Sequence, residues 1–134
     1  MVGVVIATHC KLGEELIRAA EFIVGKAEQI RSVSVDPQKT PPDALRKEIE
    51  EAVKAVNTGN GVLILTDMFG GTPSNICLSF LKQGKVEVIS GVNLPMVIRI
   101  LNIRTDFALS ELAETVKTYG QNSIAIAGEK LRRK

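Results

Sequence analysis

Apolar residues recur along this chain in two rhythms. Val2 to Ala7 and Val62 to Thr66 are short, nearly continuous apolar runs bounded by turn-prone residues, the pattern of strands buried on both faces. Ile30 to Val35 alternates apolar and polar positions and reads as a further strand that Pro37 breaks, and Val86 to Ile89 reads as another. Between these runs the spacing changes to that of helices. Leu12, Leu16, Ala19, Ala20 and Ile23 lie on one face, and Gly25 suits the stop. Leu45, Ile49, Ala52, Val53 and Val56 share the face of a second helix, opened by Pro41 and Pro42 and closed by Asn57 to Gly61. Pro73 suits the first position of a third helix, expected to bury Ile76, Cys77, Phe80 and Leu81 and to end near Gly84. Pro95 starts a short fourth helix, and Ser110 is placed as the N-cap of a fifth reaching Tyr119. Ser123 to Ala127 reads as a fifth strand without an obvious neighbour.

Strands and helices therefore alternate. This predicts an α/β fold with an open, mostly parallel sheet and helices on both faces. Right-handed crossovers follow. The strand order expected for this fold class is 2-1-3-4. No internal repeat, low-complexity tract or linker interrupts residues 1–134, which read as a single domain.

Composition narrows the function classes. Hydrophobic residues make up 45% of the chain and aromatics only 4%, with no Trp, so the core must be Val, Ile, Leu and Ala. So few aromatics leave no stacking platform for single-stranded nucleic acid. Seventeen basic and 15 acidic residues give a net charge of +2 and no electrostatic footprint for nucleic acid. The basic end, Glu129 to Lys134, reads as a solvated terminus. Cys10 and Cys77 form neither a metal-ligand spacing nor a disulfide framework, which favours a reducing compartment. The N-terminal apolar run lacks the basic flank of a signal peptide and is too short to span a membrane. A cytoplasmic protein is expected. A single His without a Cys pair argues against a metal, no phosphate-loop lysine motif follows a glycine loop, and no dinucleotide fingerprint follows the first strand. No cofactor is expected.

The candidate chemistry sits where strands end. In an open parallel sheet, ligands bind beyond the C-terminal strand ends, where strand order reverses. The first strand is followed by Thr8, His9, Cys10 and Lys11, and the third by Asp67, Met68, Phe69, Gly70, Gly71 and Thr72. In the order 2-1-3-4 these loops meet, bringing His9 to Asp67. Both loops lead into helices, whose N-termini attract anions. Gly70 and Gly71 let backbone approach a ligand closely, and the Thr72 hydroxyl can donate to an oxygen. Asp67 can accept from Nδ1–H of His9 and leave Nε2 free to attack phosphorus. Each feature also has a plain structural reading: a histidine without chemistry, an aspartate that caps or turns, a tight strand-to-helix loop.

Three segments resemble, in the same order, the mannose-type enzyme IIA family of the bacterial sugar phosphotransferase system. They are the strand ending in Thr8-His9, the run Thr66-Asp67-Met68-Phe69-Gly70-Gly71-Thr72-Pro73-Ser74-Asn75, and Gly91-Val92-Asn93-Leu94-Pro95-Met96. The resemblance implies a phosphoryl carrier whose histidine takes the group from the phosphocarrier protein HPr and passes it to a IIB component serving membrane IIC and IID components. It matches His9 to the phosphorylated histidine, Asp67 to its carboxylate partner and Thr72 to a hydroxyl near the phosphoryl group. It also implies a homodimer in which Ser123 to Ala127 joins the partner's sheet. Cys10 departs from the glycine common in the family. Met68 and Phe69 stand where a larger aromatic is often found, and read equally as partner contacts or packing. Two related readings remain: the phosphotransfer subunit that serves dihydroxyacetone kinase, and a regulatory module that reports phosphorylation state. The Thr72-Pro73 loop and the segment from Gly91 to Met96 favour the sugar system over the first.

Overall fold

Along the central strand, successive side chains point to opposite faces and both faces are buried. The computed structural model describes residues 1–36 and 38–132. Its central strand is β1 (Gly3–His9), which runs parallel to β2 (Ile30–Val35) on one side and β3 (Val62–Thr66) on the other. β4 (Val86–Ser90) lies parallel beyond β3, so the sheet order is 2-1-3-4. Val4 and Ile6 of β1, with Leu63 and Leu65 of β3, pack against α1 (Leu12–Val24), α4 (Leu94–Ile103) and α5 (Leu109–Asn122). Val5 and Ala7, with Val62 and Ile64, pack against α2 (Pro42–Val56) and α3 (Thr72–Leu78). The near-continuous apolar runs are thus central strands whose two faces serve two separate cores. A last helix, α6 (Ala127–Arg132), buries no residue.

The segment from Gly91 to Met96 works here as an anchor. Asn93 caps α4 by accepting from the Met96 N–H at 3.0 Å, while its side-chain amide donates to the Gly120 carbonyl of α5 at 3.2 Å. Gly120 is bare because Met96 fills its place: a Cβ there would lie 2.5 Å from the Met96 side chain.

Three expectations are corrected. α3 stops at Leu78, well before Gly84. The Ser79 hydroxyl donates to the Ile76 carbonyl, and Lys82 pairs backbone with Val86, which turns the chain into β4 and leaves Leu81 exposed. Helix α5 starts at Leu109, with Ala108 as its N-cap, and runs to Asn122, because buried Leu109 belongs to the helical face that meets the core. Within one copy, Ser123 to Ala127 forms no strand. The Ser123 and Ile124 N–H groups continue the helical turn by donating to the Gly120 and Gln121 carbonyls, and Ile124 and Ile126 remain exposed. A strand exists only through a ladder, and this segment has no ladder partner among the described residues. Pro37, expected to break β2, and the last two residues of the basic tail lie outside the described residues.

The outer edge of β4 is partly closed by its own chain. The Val62 N–H donates inward to the Lys85 carbonyl, so Val86, Val88 and Ser90 turn their backbone groups outward. Val86 is engaged by Lys82, and the Val88 N–H donates to Glu87 Oε1 at 3.0 Å. Such capping limits indiscriminate pairing at a sheet edge.

Candidate functional site

β1 ends at His9 and β3 at Thr66, one residue before Asp67, and neighbouring parallel strands bring these ends together. Oδ2 of Asp67 lies 2.9 Å from His9 Nδ1 and accepts from the His9 backbone N–H at 3.0 Å. Oδ1 accepts from the Met68 N–H at 3.0 Å. An ionised carboxylate only accepts, so the proton of the neutral ring resides on Nδ1 and the Nε2 lone pair is free. The His9 side chain is 40% exposed, open to an incoming protein, whereas that of Asp67 is 13% exposed. Burial pushes the Asp67 carboxyl up, but the hydrogen bonds from the His9 ring and backbone, with the His9 charge, outweigh it and hold the group below its ordinary range.

Gly71 caps α3 and lies against the Cε1–Nε2 edge of the His9 ring. Thr72, half-buried, is the first residue of α3, and Gly70 occupies the left-handed region at φ +94°. All five residues singled out from the sequence, His9, Asp67, Gly70, Gly71 and Thr72, therefore lie where β1 and β3 end and α3 begins. The two helix starts are not equivalent. At α1 the Gly13 N–H is taken by Thr8 Oγ1 at 2.8 Å, and the first turn carries Glu14 and Glu15, whose negative charge disfavours an anion there. At α3 the first turn carries no acidic residue, and Thr72 and Ser74 bring N–H groups while Pro73 brings none.

Sequence reasoning missed the hydroxyls beneath the site. Buried Thr8 also donates to the His9 carbonyl at 3.1 Å. Thr66 Oγ1 donates to Ser90 Oγ at 2.9 Å, and Ser90 Oγ lies 3.3 Å from Ser74 Oγ. This chain ties the end of β3, the first turn of α3 and the end of β4 together. Its signal was a hydroxyl residue at the end of otherwise apolar runs. Cys10 is exposed and holds a left-handed backbone at φ +52°, where glycine is the residue without steric cost. Met68 and Phe69 are exposed beside the site. Phe69 also lines a groove of about 400 Å³ along β4, with Val88, Ser90, Gly91, Gly120 and Ile124.

The family model for the PTS system fructose IIA component, EIIA-man, matches residues 3–117. The chain is 28% identical over 134 residues to the fructose-specific EIIA component of the phosphotransferase system of Bacillus subtilis, covering 99% of this chain and 91% of that protein. It is 32% identical over 106 residues to the mannose-specific EIIAB component of Escherichia coli, covering 78% of this chain but only 32% of that longer protein. Among solved structures, phosphotransferase system component EIIA from Streptococcus agalactiae superposes with a TM-score of 0.86 at 24% identity, covering 96% of this chain and 99% of that one. No helix among the described residues is long and apolar enough to cross a membrane.

Proposed function

The chain belongs to the EIIA-man family of sugar phosphotransferase system IIA components, and from that membership we propose that it is a phosphohistidine carrier in which Nε2 of His9 accepts a phosphoryl group from phosphorylated HPr and donates it to a IIB component. The observation that carries this reading is the 2.9 Å contact between His9 Nδ1 and Asp67 Oδ2.

The Nε2 lone pair forms the new bond to phosphorus as the donor's bond to phosphorus breaks, and the donor group leaves with its electron pair. With Nδ1 still protonated, the ring then carries positive charge, which the adjacent Asp67 carboxylate balances. Transfer to IIB is the reverse displacement: the acceptor attacks phosphorus and Nε2 regains its lone pair. Little else is asked of the protein than positioning and charge stabilisation. Gly70, Gly71 and Thr72 form the other wall, with bare backbone and a hydroxyl for the phosphoryl oxygens.

The exposed Met68 and Phe69 offer apolar contact to the two partner proteins in turn. The remaining parts of the reading are a cytoplasmic single domain over residues 1–134, an indirect link through IIB to membrane IIC and IID components, and a homodimer. In that dimer Ser123 to Ala127 of a second copy adds to β4 at Val88 and Ser90, the outward positions not already engaged by Lys82.

Incubation with labelled phospho-HPr tests the carrier. Acid-labile, base-stable label is expected on the wild type and not on His9→Ala. An unlabelled wild type would end the reading, and label persisting in His9→Ala would move the site. Passage of the label onward to a IIB protein separates a transport component from a regulatory reporter.

A further inference from the structure

Two adjacent glycines in the site loop are bare for different reasons. At Gly70 the backbone lies at φ +94° and an added Cβ would meet nothing within 4 Å, so the conformation asks for glycine. At Gly71 the backbone is ordinary extended chain, φ −84° and ψ 172°, which any residue adopts. What forbids a side chain there is the catalytic ring: a Cβ would stand 2.9 Å from His9 Cε1 and 3.4 Å from Nε2.

We propose that Gly71 is a positioning residue whose bare α-carbon sets where Nε2 of His9 stands. This inference rests on the carrier reading for its kinetic consequence, but not for its geometry. The proximal side of the ring is held by Asp67 Oδ2, which binds both Nδ1 and the His9 backbone N–H. Gly71 lies against the adjoining Cε1–Nε2 edge. The ring is thus located from two sides, by a hydrogen bond and by a steric stop.

The size of the effect follows from contact distances. Nonbonded carbons settle at about 3.5–4.0 Å, so a methyl at Gly71 displaces the ring edge by about 0.6 Å or more. The Nδ1–Asp67 bond must then stretch or the ring must turn out of its plane. A misplacement of about 1 Å at a reacting centre costs on the order of 100-fold in rate. The smaller displacement here corresponds to roughly a tenfold loss. It falls on kcat, because a displaced ring misplaces Nε2 in the transfer step itself.

The test uses Gly71→Ala and Gly71→Ser, both compatible with the local backbone, and compares them with Gly59→Ala. Gly59 lies remote from the site at φ +111° with open space around it, so its replacement lowers stability without touching the ring. Ring ¹⁵N shifts of His9, recorded without any phosphoryl donor, are expected to lose the wild-type Nδ1–H pattern in both Gly71 variants and to keep it in Gly59→Ala. Wild-type shifts in the Gly71 variants would mean that the loop yields instead of the ring, and would overturn the proposal. Equal changes in Gly59→Ala would assign the effect to general destabilisation and overturn it as well. With phospho-HPr, kcat is expected to fall about tenfold in both Gly71 variants at unchanged KM, and an unchanged kcat overturns the proposal. An unlabelled wild type refutes the carrier reading alone, since the ¹⁵N result stands without it.

Discussion

Replacing Asp67 with Asn removes one charge while keeping the side chain's shape, and its consequence can be worked from three hydrogen bonds. Oδ2 accepts from the His9 N–H and lies against Nδ1, and Oδ1 accepts from the Met68 N–H. All three groups act as donors, but asparagine offers one acceptor oxygen and one NH₂. If the oxygen faces His9, the amide donor opposes the Met68 N–H. If the NH₂ faces His9, the ring must carry its proton on Nε2, which removes the nucleophile. In either orientation the positive charge that develops on the ring loses its carboxylate. A hydrogen bond to a charged group contributes about 1.5–3 kcal/mol. Unit charges about 4 Å apart near a protein surface interact by about 4 kcal/mol. With the His9 side chain 40% exposed, solvent screens much of that Coulomb energy. A transition-state loss of about 2 kcal/mol follows, or roughly thirtyfold in rate. Rapid-quench measurement of label transfer from phospho-HPr reads this directly, with KM expected to stay at its wild-type value. A rate within about threefold of wild type would remove Asp67 from the chemistry and refute the charge argument.

Further outcomes follow from the same geometry. Because the folded Asp67 pKa lies below its ordinary value of 3.8, the stability it contributes is fully present above that pH and is lost as pH falls through the folded value. Urea titrations should therefore show a gap between wild type and Asp67→Asn that persists down to about pH 4 and closes only in stronger acid; closure at higher pH would reverse the sign. Burial pushes the Cys77 thiol up to about 12 while Cys10 is exposed, so iodoacetamide at mildly alkaline pH should modify Cys10 in the native protein and Cys77 only on unfolding. Mass spectrometry of the native protein with both thiols modified would contradict this. Glu87→Ala frees the outward Val88 N–H. If a second copy pairs there, sedimentation should show self-association tightened about fivefold, the worth of about 1 kcal/mol of competing hydrogen bond; a dimer of unchanged or weaker affinity would refute the capping role.

The sheet was legible because its runs of apolar residues leave few alternatives. Val2 to Ala7 and Val62 to Thr66 are nearly continuous apolar runs, as strands covered on both faces require, and the order 2-1-3-4 expected for the fold class makes strands one and three neighbours. Once they are neighbours, His9 and Asp67 must meet, since each lies at the C-terminal end of its strand. What stayed hidden depends on contacts that cross the chain. The hydroxyl chain of Thr66, Ser74 and Ser90 joins three elements. In the sequence each of its members is an ordinary residue at the end of an element. The end of α3 was misplaced because the Ser79 hydroxyl and the Lys82–Val86 pairing override a helical pattern that continues to Leu81. Ser123 to Ala127 presents the deepest ambiguity. Its alternation with isoleucine describes a strand, yet alternation states only which side chains share a face and is silent about which chain supplies the ladder. Within one copy the segment stays helical in its first turn and exposed beyond it. The groove it lines with Ile124 reaches Phe69, two residues past Asp67. Any strand that fills this groove therefore also contacts the loop that carries the carboxylate, which makes assembly and phosphoryl transfer neighbours in space although they lie at opposite ends of the chain.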